Sequence, residues 1–110
     1  MSLISPAQDI LFKALADPTR RALFERLCRE GEQTVGALTA AAEISQPAVS
    51  KHLGVLKAAG LVVYRADGRQ AHYRARRGAL APVVDWAARM ESFWEARFDG
   101  LEDLLNRMDQ

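Results

Sequence analysis

Cysteine occurs once in these 110 residues, at Cys28, and histidine twice, at His52 and His72. A single thiol excludes an intramolecular disulfide framework and a cysteine-rich zinc site. Two separated histidines do not supply the three or four converging nitrogen and sulfur ligands that zinc or a softer metal needs, so neither a metal site nor a cofactor is expected. Long apolar runs are missing as well. No stretch approaches the ~18 residues of a membrane span. The opening Met1-Ser2-Leu3-Ile4-Ser5-Pro6 lacks a basic region followed by an apolar one, so neither a signal peptide nor a membrane partner is expected and the expected location is the reducing cytoplasm. There is no internal repeat, low-complexity tract or linker. Catalytic constellations are absent too, with no nucleophile–base pair and no phosphate loop. Ser50 and His52 form no pair, because two residues along a helix turn their side chains ~200° apart. Enzymatic activity is therefore not expected.

Charge of one sign is also scarce. Fifteen Lys+Arg face 14 Asp+Glu, a net +1, which by itself misses the basic signature of a nucleic-acid binder. The apolar content of 49% and charged content of 26% are those of an ordinary globular chain. At this length there is room for one domain, residues 1–110, with one core.

The positive features begin with helix starts. Ser5-Pro6-Ala7-Gln8 reads as an N-cap, a proline at N1 and a capping-box glutamine, followed by Ile10, Leu11, Ala14 and Leu15 at helical spacing. Asp17-Pro18 ends that helix and caps the next, whose apolar stripe is Leu23, Phe24 and Leu27 and whose stop is Gly31. Thr34 caps a short third helix carrying Val35, Leu38 and Ala41 or Ala42. Ser45 caps a fourth, from about Gln46 to Ala59, with Val49, Leu53 and Leu56 as its buried stripe. The period then changes. Leu61–Ala66 is β-branched and aromatic, Asp67-Gly68 signals a hairpin turn, and Gln70–Ala75 alternates as a return strand. After Gly78 a helical segment, taken as 79–108, carries the seam Leu80, Val83, Ala87, Met90, Trp94, Leu101, Leu105 and Met108, unless Gly100 breaks it. The order is four helices, a hairpin and a helix: a mainly α winged helix-turn-helix with a two-stranded wing.

Along that order the charge is uneven. Residues 1–44 hold five basic and six acidic groups, and residues 79–110 hold three and seven. Residues 45–78 hold Lys51, Lys57, Arg65, Arg69, Arg74, Arg76 and Arg77 against Asp67 alone, a net +6. The basic block falls on the fourth helix and the hairpin, the two elements that would enter DNA, and local cations near phosphates supply the attraction.

On the fourth helix, ~100° per residue turns Pro47, Ser50, Lys51, Gly54 and Ala58 outward, with Gln46 on the flank. Recognition helices contact bases mainly with their N-terminal residues. Gln46 suits adenine, Ser50 suits donors or acceptors, and Lys51 suits guanine or a phosphate. Ser45 and the helix N-terminus suit a phosphate. Gly54 is costly inside a helix, and its outward position suits close approach to a DNA backbone. His52 sits at the border of the stripe, as a packed core-edge residue or a DNA contact. On the wing, Arg69 projects from the tip with Arg65 and Arg74 beside it, and Tyr73 packs the wing to the core. Cys28 is expected to be buried on the second helix, a thiol sensor being the other reading. The apolar face of the last helix, with Trp86, Phe93, Trp94 and Phe98, is too large to leave wet on a monomer. A homodimer covers it, or a small-molecule effector pocket forms between those aromatics and the first helix.

Leu15-Ala16-Asp17-Pro18-Thr19-Arg20, Ser45-Gln46-Pro47-Ala48-Val49-Ser50-Lys51-His52-Leu53, the run from Leu56 through Ala59-Gly60-Leu61-Val62, and Gly68-Arg69 with Tyr73 together resemble the ArsR family of bacterial winged-helix repressors. The resemblance covers roughly residues 6–77. It implies a homodimer that binds double-stranded DNA at a palindromic operator and represses transcription. It also implies a dimer interface from the first and last helices (Ile10, Leu11, Leu80, Val83, Ala87, Met90, Trp94, Leu101 and Leu105) and major-groove reading by the helix of Gln46, Ser50 and Lys51. Many members sense metal through cysteines at the start of the third helix, where this chain has Glu32-Gln33-Thr34-Val35-Gly36. Others use Asp and His on the last helix, which here has Asp85, Glu91 and Glu95 but no histidine. A metal-independent member is expected. The alternative is a winged-helix protein–protein module that never touches DNA.

Overall fold

A side-chain oxygen meets the free amides at the start of each of the first four helices. The computed structural model describes residues 4–109. Met1, Ser2 and Leu3, on which the leader reading partly rests, lie outside the described residues, as does Gln110. Helix α1 (Pro6–Ala16) opens on a reciprocal capping box: Gln8 donates its backbone N–H to Ser5 Oγ at 3.2 Å, and Gln8 Oε1 accepts from Ser5 N–H at 2.9 Å. Asp17 caps α2 (Pro18–Glu30) by accepting from Arg20 N–H at 2.9 Å. Thr34 caps α3 (Val35–Ala42) by accepting from Ala37 N–H at 3.1 Å. Ser45 caps α4 (Gln46–Ala58) by accepting from Ala48 N–H at 3.3 Å. The last helix, α5 (Ala81–Met108), has no side-chain cap. All four prolines stand in first helical turns, where the missing N–H has no intrahelical partner to lose.

The sheet has three strands where the hairpin alone predicted two. Strands β2 (Val62–Asp67) and β3 (Gln70–Ala75) form the wing. A two-residue strand β1 (Gln33–Thr34) pairs antiparallel with β3, placing Gln33 opposite Tyr73 and Thr34 opposite His72, in the order β1-β3-β2. Two residues are too few to show an alternating pattern, and Thr34 serves as both strand end and helix cap. The turn is also shifted by one residue. Asp67 is the last strand residue, opposite Gln70, so Gly68 and Arg69 make the loop. Gly68 supplies the positive φ of 61° that its first position requires.

The core forms where the inward faces of α1–α4 meet the start of β2. Leu38, Val49, Leu53, Leu56 and Leu61 are wholly inaccessible, surrounded by Leu11, Leu23, Phe24, Leu27 and Val62. Leu11, predicted at a subunit contact, is 4% exposed within this core and has no surface to offer a partner. Its neighbour Ile10 is half exposed. Cys28 is exposed rather than buried, because it follows Leu27 by ~100° around α2 and turns off the buried face. Desolvation, and after it Glu25, push its thiol above the ordinary cysteine range, the opposite of what a reactive thiolate needs.

Helix α5 runs through Gly100 without a break. Its first turns are fastened to α1. Gln8, buried at 5% exposure, donates from Nε2 to the Pro82 carbonyl at 2.9 Å, and Phe12 meets Trp86 edge to face at 5.0 Å. Of the four α5 aromatics, Trp86 is the one in ring contact with α1, while Phe93, Trp94 and Phe98 lie further along the helix and are exposed. Val83 packs against the chain's own core and Met90 is half buried. From Glu91 to Asp109 every residue is exposed, and the described chain extends 74 Å along its longest axis.

Leu53→Ala removes a side chain with no solvent exposure from the centre of this core. The expected loss is about 2–5 kcal/mol, read as a lowered urea midpoint with an unchanged m-value.

Candidate nucleic-acid interface

Helix α4 separates its two faces sharply. Val49, Leu53 and Leu56 are fully buried, while Ser45, Gln46, Pro47, Ser50, Lys51 and Gly54 are exposed. The outward residues cluster in the first two and a half turns, as the periodicity predicts. A Cβ added to Gly54 would meet nothing within 4 Å. No packing within the described chain therefore requires glycine there.

His52 lies between the faces. It is half buried, and its Nδ1 is shielded from solvent with no hydrogen-bond partner. It lies near enough to Asp17, the cap of α2, to count among the influences on that carboxyl. Asp17 is held below the ordinary carboxylate range, first by the Arg20 backbone N–H it accepts and further by His52 and the Arg20 charge, against a smaller opposing desolvation. Of the candidate α4 residues, His52 alone is not exposed.

The seven cations of the basic block do not have equal freedom. Lys57 Nζ sits 5.0 Å from the centroid of the Tyr64 ring. Arg76 Nε donates to the Gly60 carbonyl at 2.6 Å, tying the end of the wing to the end of α4. Arg65 Nε donates to Glu32 Oε1 at 2.9 Å, and its Nη1 lies 3.6 Å from Asp67. The Glu32 bond and charge, more than Asp67, raise the Arg65 pKa further above its usual value. Arg65, predicted to face DNA, is therefore drawn toward the loop before β1. Among the described residues Lys51, Arg69, Arg74 and Arg77 have no intramolecular partner, and all four are exposed.

Sequence reasoning missed Glu32 because its partner stands 33 residues away, on β2, and only the pairing of β1 with β3 brings the two near each other. The Tyr64–Tyr73 ring contact at 5.5 Å joins β2 to β3, and Tyr73 packs on the core as expected, its phenol raised above the usual range by burial first and then by Tyr64. Among the described residues no cluster of three or more His, Cys, Asp or Glu is arranged to hold a metal ion. Nor, among the described residues, is any helix long and apolar enough to cross a membrane.

Of the predicted subunit contacts, Ile10, Leu80, Ala87, Trp94, Leu101 and Leu105 lie open on the surface. Phe93, named with the apolar face, is equally open, and so are Val84 and Leu104, which the predicted seam left out, since a helix apolar on several sides does not reveal which stripe its own domain will take.

A family model described as a helix-turn-helix domain matches residues 15–65. The chain is 34% identical over 110 residues to the arsenical resistance operon repressor of Escherichia coli (strain K12), covering 98% of this chain and 88% of that protein. It is 33% identical over 76 residues to the transcriptional repressor SdpR of Bacillus subtilis (strain 168), covering 69% and 83%. A solved ArsR family transcriptional regulator superposes with a TM-score of 0.76 at 32% identity, covering 86% of this chain and 97% of that one. With the winged helix-turn-helix in place, these likenesses establish that the chain belongs to the ArsR family of DNA-binding transcriptional regulators.

Proposed function

We propose that the protein is a homodimeric repressor that reads a palindromic operator with two copies of α4 and flanks it with two wings, and that it does so without a bound metal ion. The observation that carries this reading is the first part of α4, where Gln46, Pro47, Ser50 and Lys51 are presented to solvent by a stripe that is entirely buried. In this arrangement Gln46 pairs with adenine, Ser50 and Lys51 meet base edges or phosphate, and Arg69 enters the minor groove or meets its phosphates. Arg74 and Arg77 add backbone attraction. Gly54 lets the duplex backbone come close. Two-fold symmetry places the half-sites about one helical turn apart, ~34 Å.

The open apolar length of α5 supports the dimer. Trp94 and Phe98 touch edge to face at 5.0 Å, and Leu101, Leu104, Leu105 and Met108 continue the surface, each about half exposed or more. An apolar surface of this extent is characteristic of an interface. Thr34 supports metal independence. It stands where cysteine ligands stand in many relatives, and its hydroxyl is engaged in capping α3.

In an operator selected from random duplexes, Lys51→Ala and Arg69→Ala each weaken binding and reduce the slope of log K against log salt by about 1.8, one phosphate contact in each of the two subunits. Arg65→Ala reduces that slope less, because Glu32 already holds its guanidinium. Unchanged slopes in the first two variants would remove this surface from DNA recognition. Failure to select any salt-sensitive duplex would favour the protein–protein module.

Leu101→Glu places a charge on the exposed α5 face and converts a dimer to a monomer in sedimentation velocity, with the fold retained by circular dichroism. A wild-type protein that sediments as a monomer would contradict the assembly. Operator affinity is expected to stay within twofold on adding EDTA or equimolar zinc, and a tenfold change in either would overturn metal independence.

A further inference from the structure

A cavity of about 370 Å³ opens between α2 and α3, away from the exposed face of α4 and from the apolar length of α5. That volume lies within the range of small-molecule sites, toward its lower end. Its lining is in part apolar, with Ala22, Leu38 and Ala41, and includes Thr19. The alanines account for the space, since a larger side chain at any of these positions would fill it. Arg26 and Arg29 are among the residues that line it, and no Asp or Glu is.

The two arginines are incompletely matched within the chain. Arg29 has no hydrogen bond or ion pair among the described residues. Arg26 Nε lies 3.0 Å from Glu30 Oε2, one turn along α2, yet it is shielded from solvent and not aligned for a hydrogen bond. Because Nε is covered and faces Glu30, a ligand would meet Arg26 through its terminal guanidinium nitrogens, which make no hydrogen bond among the described residues. Guanidinium groups also match the planar geometry of a carboxylate better than an ammonium would.

We propose that this cavity binds a small amphipathic organic anion, with its carboxylate on Arg26 and Arg29 and its apolar body over Ala22, Leu38 and Ala41. The site has a consequence for DNA binding. Helix α3 is the first helix of the helix-turn-helix, and Leu38 belongs both to this cavity and to the core beneath α4. A ligand seated there bears on the position of α4, which links its occupancy to operator affinity. This consequence rests on the DNA-binding reading, whereas the binding itself does not.

The test is an amide-resolved NMR titration of the full chain, without DNA, using sodium octanoate, 1-octanol and inorganic phosphate as probes. Octanoate is expected to shift the amides of Ala22, Arg26, Leu38 and Ala41 along a saturable curve. Octanol lacks the charge and phosphate lacks the tail, and each should bind at least tenfold more weakly. Arg29→Ala changes an exposed residue and should keep the fold while weakening octanoate about tenfold. Ala41→Leu should abolish binding by filling the space. The proposal is overturned if octanoate gives no saturable shift up to 20 mM, if either control binds as well as octanoate, or if Arg29→Ala leaves the affinity unchanged. Because no DNA is present, none of these outcomes bears on whether the protein binds an operator.

Discussion

Val49, Leu53 and Leu56 reach the centre of the domain from a single helix and lose all contact with water. Their burial fixes the rotation of α4 about its axis. With ~100° between successive residues, no other rotation buries this stripe, and the same rotation turns Gln46, Ser50 and Lys51 out together. Leu38 from α3 and Leu23, Phe24 and Leu27 from α2 close over the stripe. The surface offered to a duplex is therefore a by-product of core packing. Its precision comes from the density of that packing, where displaced side chains leave voids that the neighbours cannot fill.

Electrostatics divides the same block of sequence into two kinds of cation. Lys57, Arg65 and Arg76 are engaged inside the molecule, by a tyrosine ring, a carboxylate and a backbone carbonyl. They secure the wing to α4 and to the loop before β1. Lys51, Arg69, Arg74 and Arg77 are left for an external anion. A net charge counted along the sequence does not distinguish these groups. Only the free ones release counterions when a polyanion binds, so only they set how binding responds to salt.

Helix α5 shows the opposite balance. Its first turns belong to the domain through the Gln8–Pro82 hydrogen bond and the Phe12–Trp86 contact. Its remainder carries tryptophan, phenylalanine and leucine side chains that stand about half exposed or more. The acidic residues of the last third lie on this helix, far along the sequence from the basic wing. An element that is half domain and half protrusion can join two such domains at a set distance, and that distance is what a two-fold operator requires.

The helix starts were legible because each is a local event. Ser5, Asp17, Thr34 and Ser45 bond to amides three residues on, and the prolines beside three of them cannot stand inside a helix. The buried stripe of α4 was legible for the same reason, since its period belongs to the helix and not to the fold. What the sequence alone determined was therefore the elements, their order, and which residues of α4 face out. The tertiary structure decided the matters that depend on distant partners. It added β1, which exists only because β3 lies beside it. It drew Arg65 to Glu32, placed Leu11 inside and Cys28 outside, and took Val83 rather than Val84 for the core. Short-range periodicity tells which side chains share a face. It does not tell which face a neighbouring element will cover, because that depends on the packing of residues far apart in the chain.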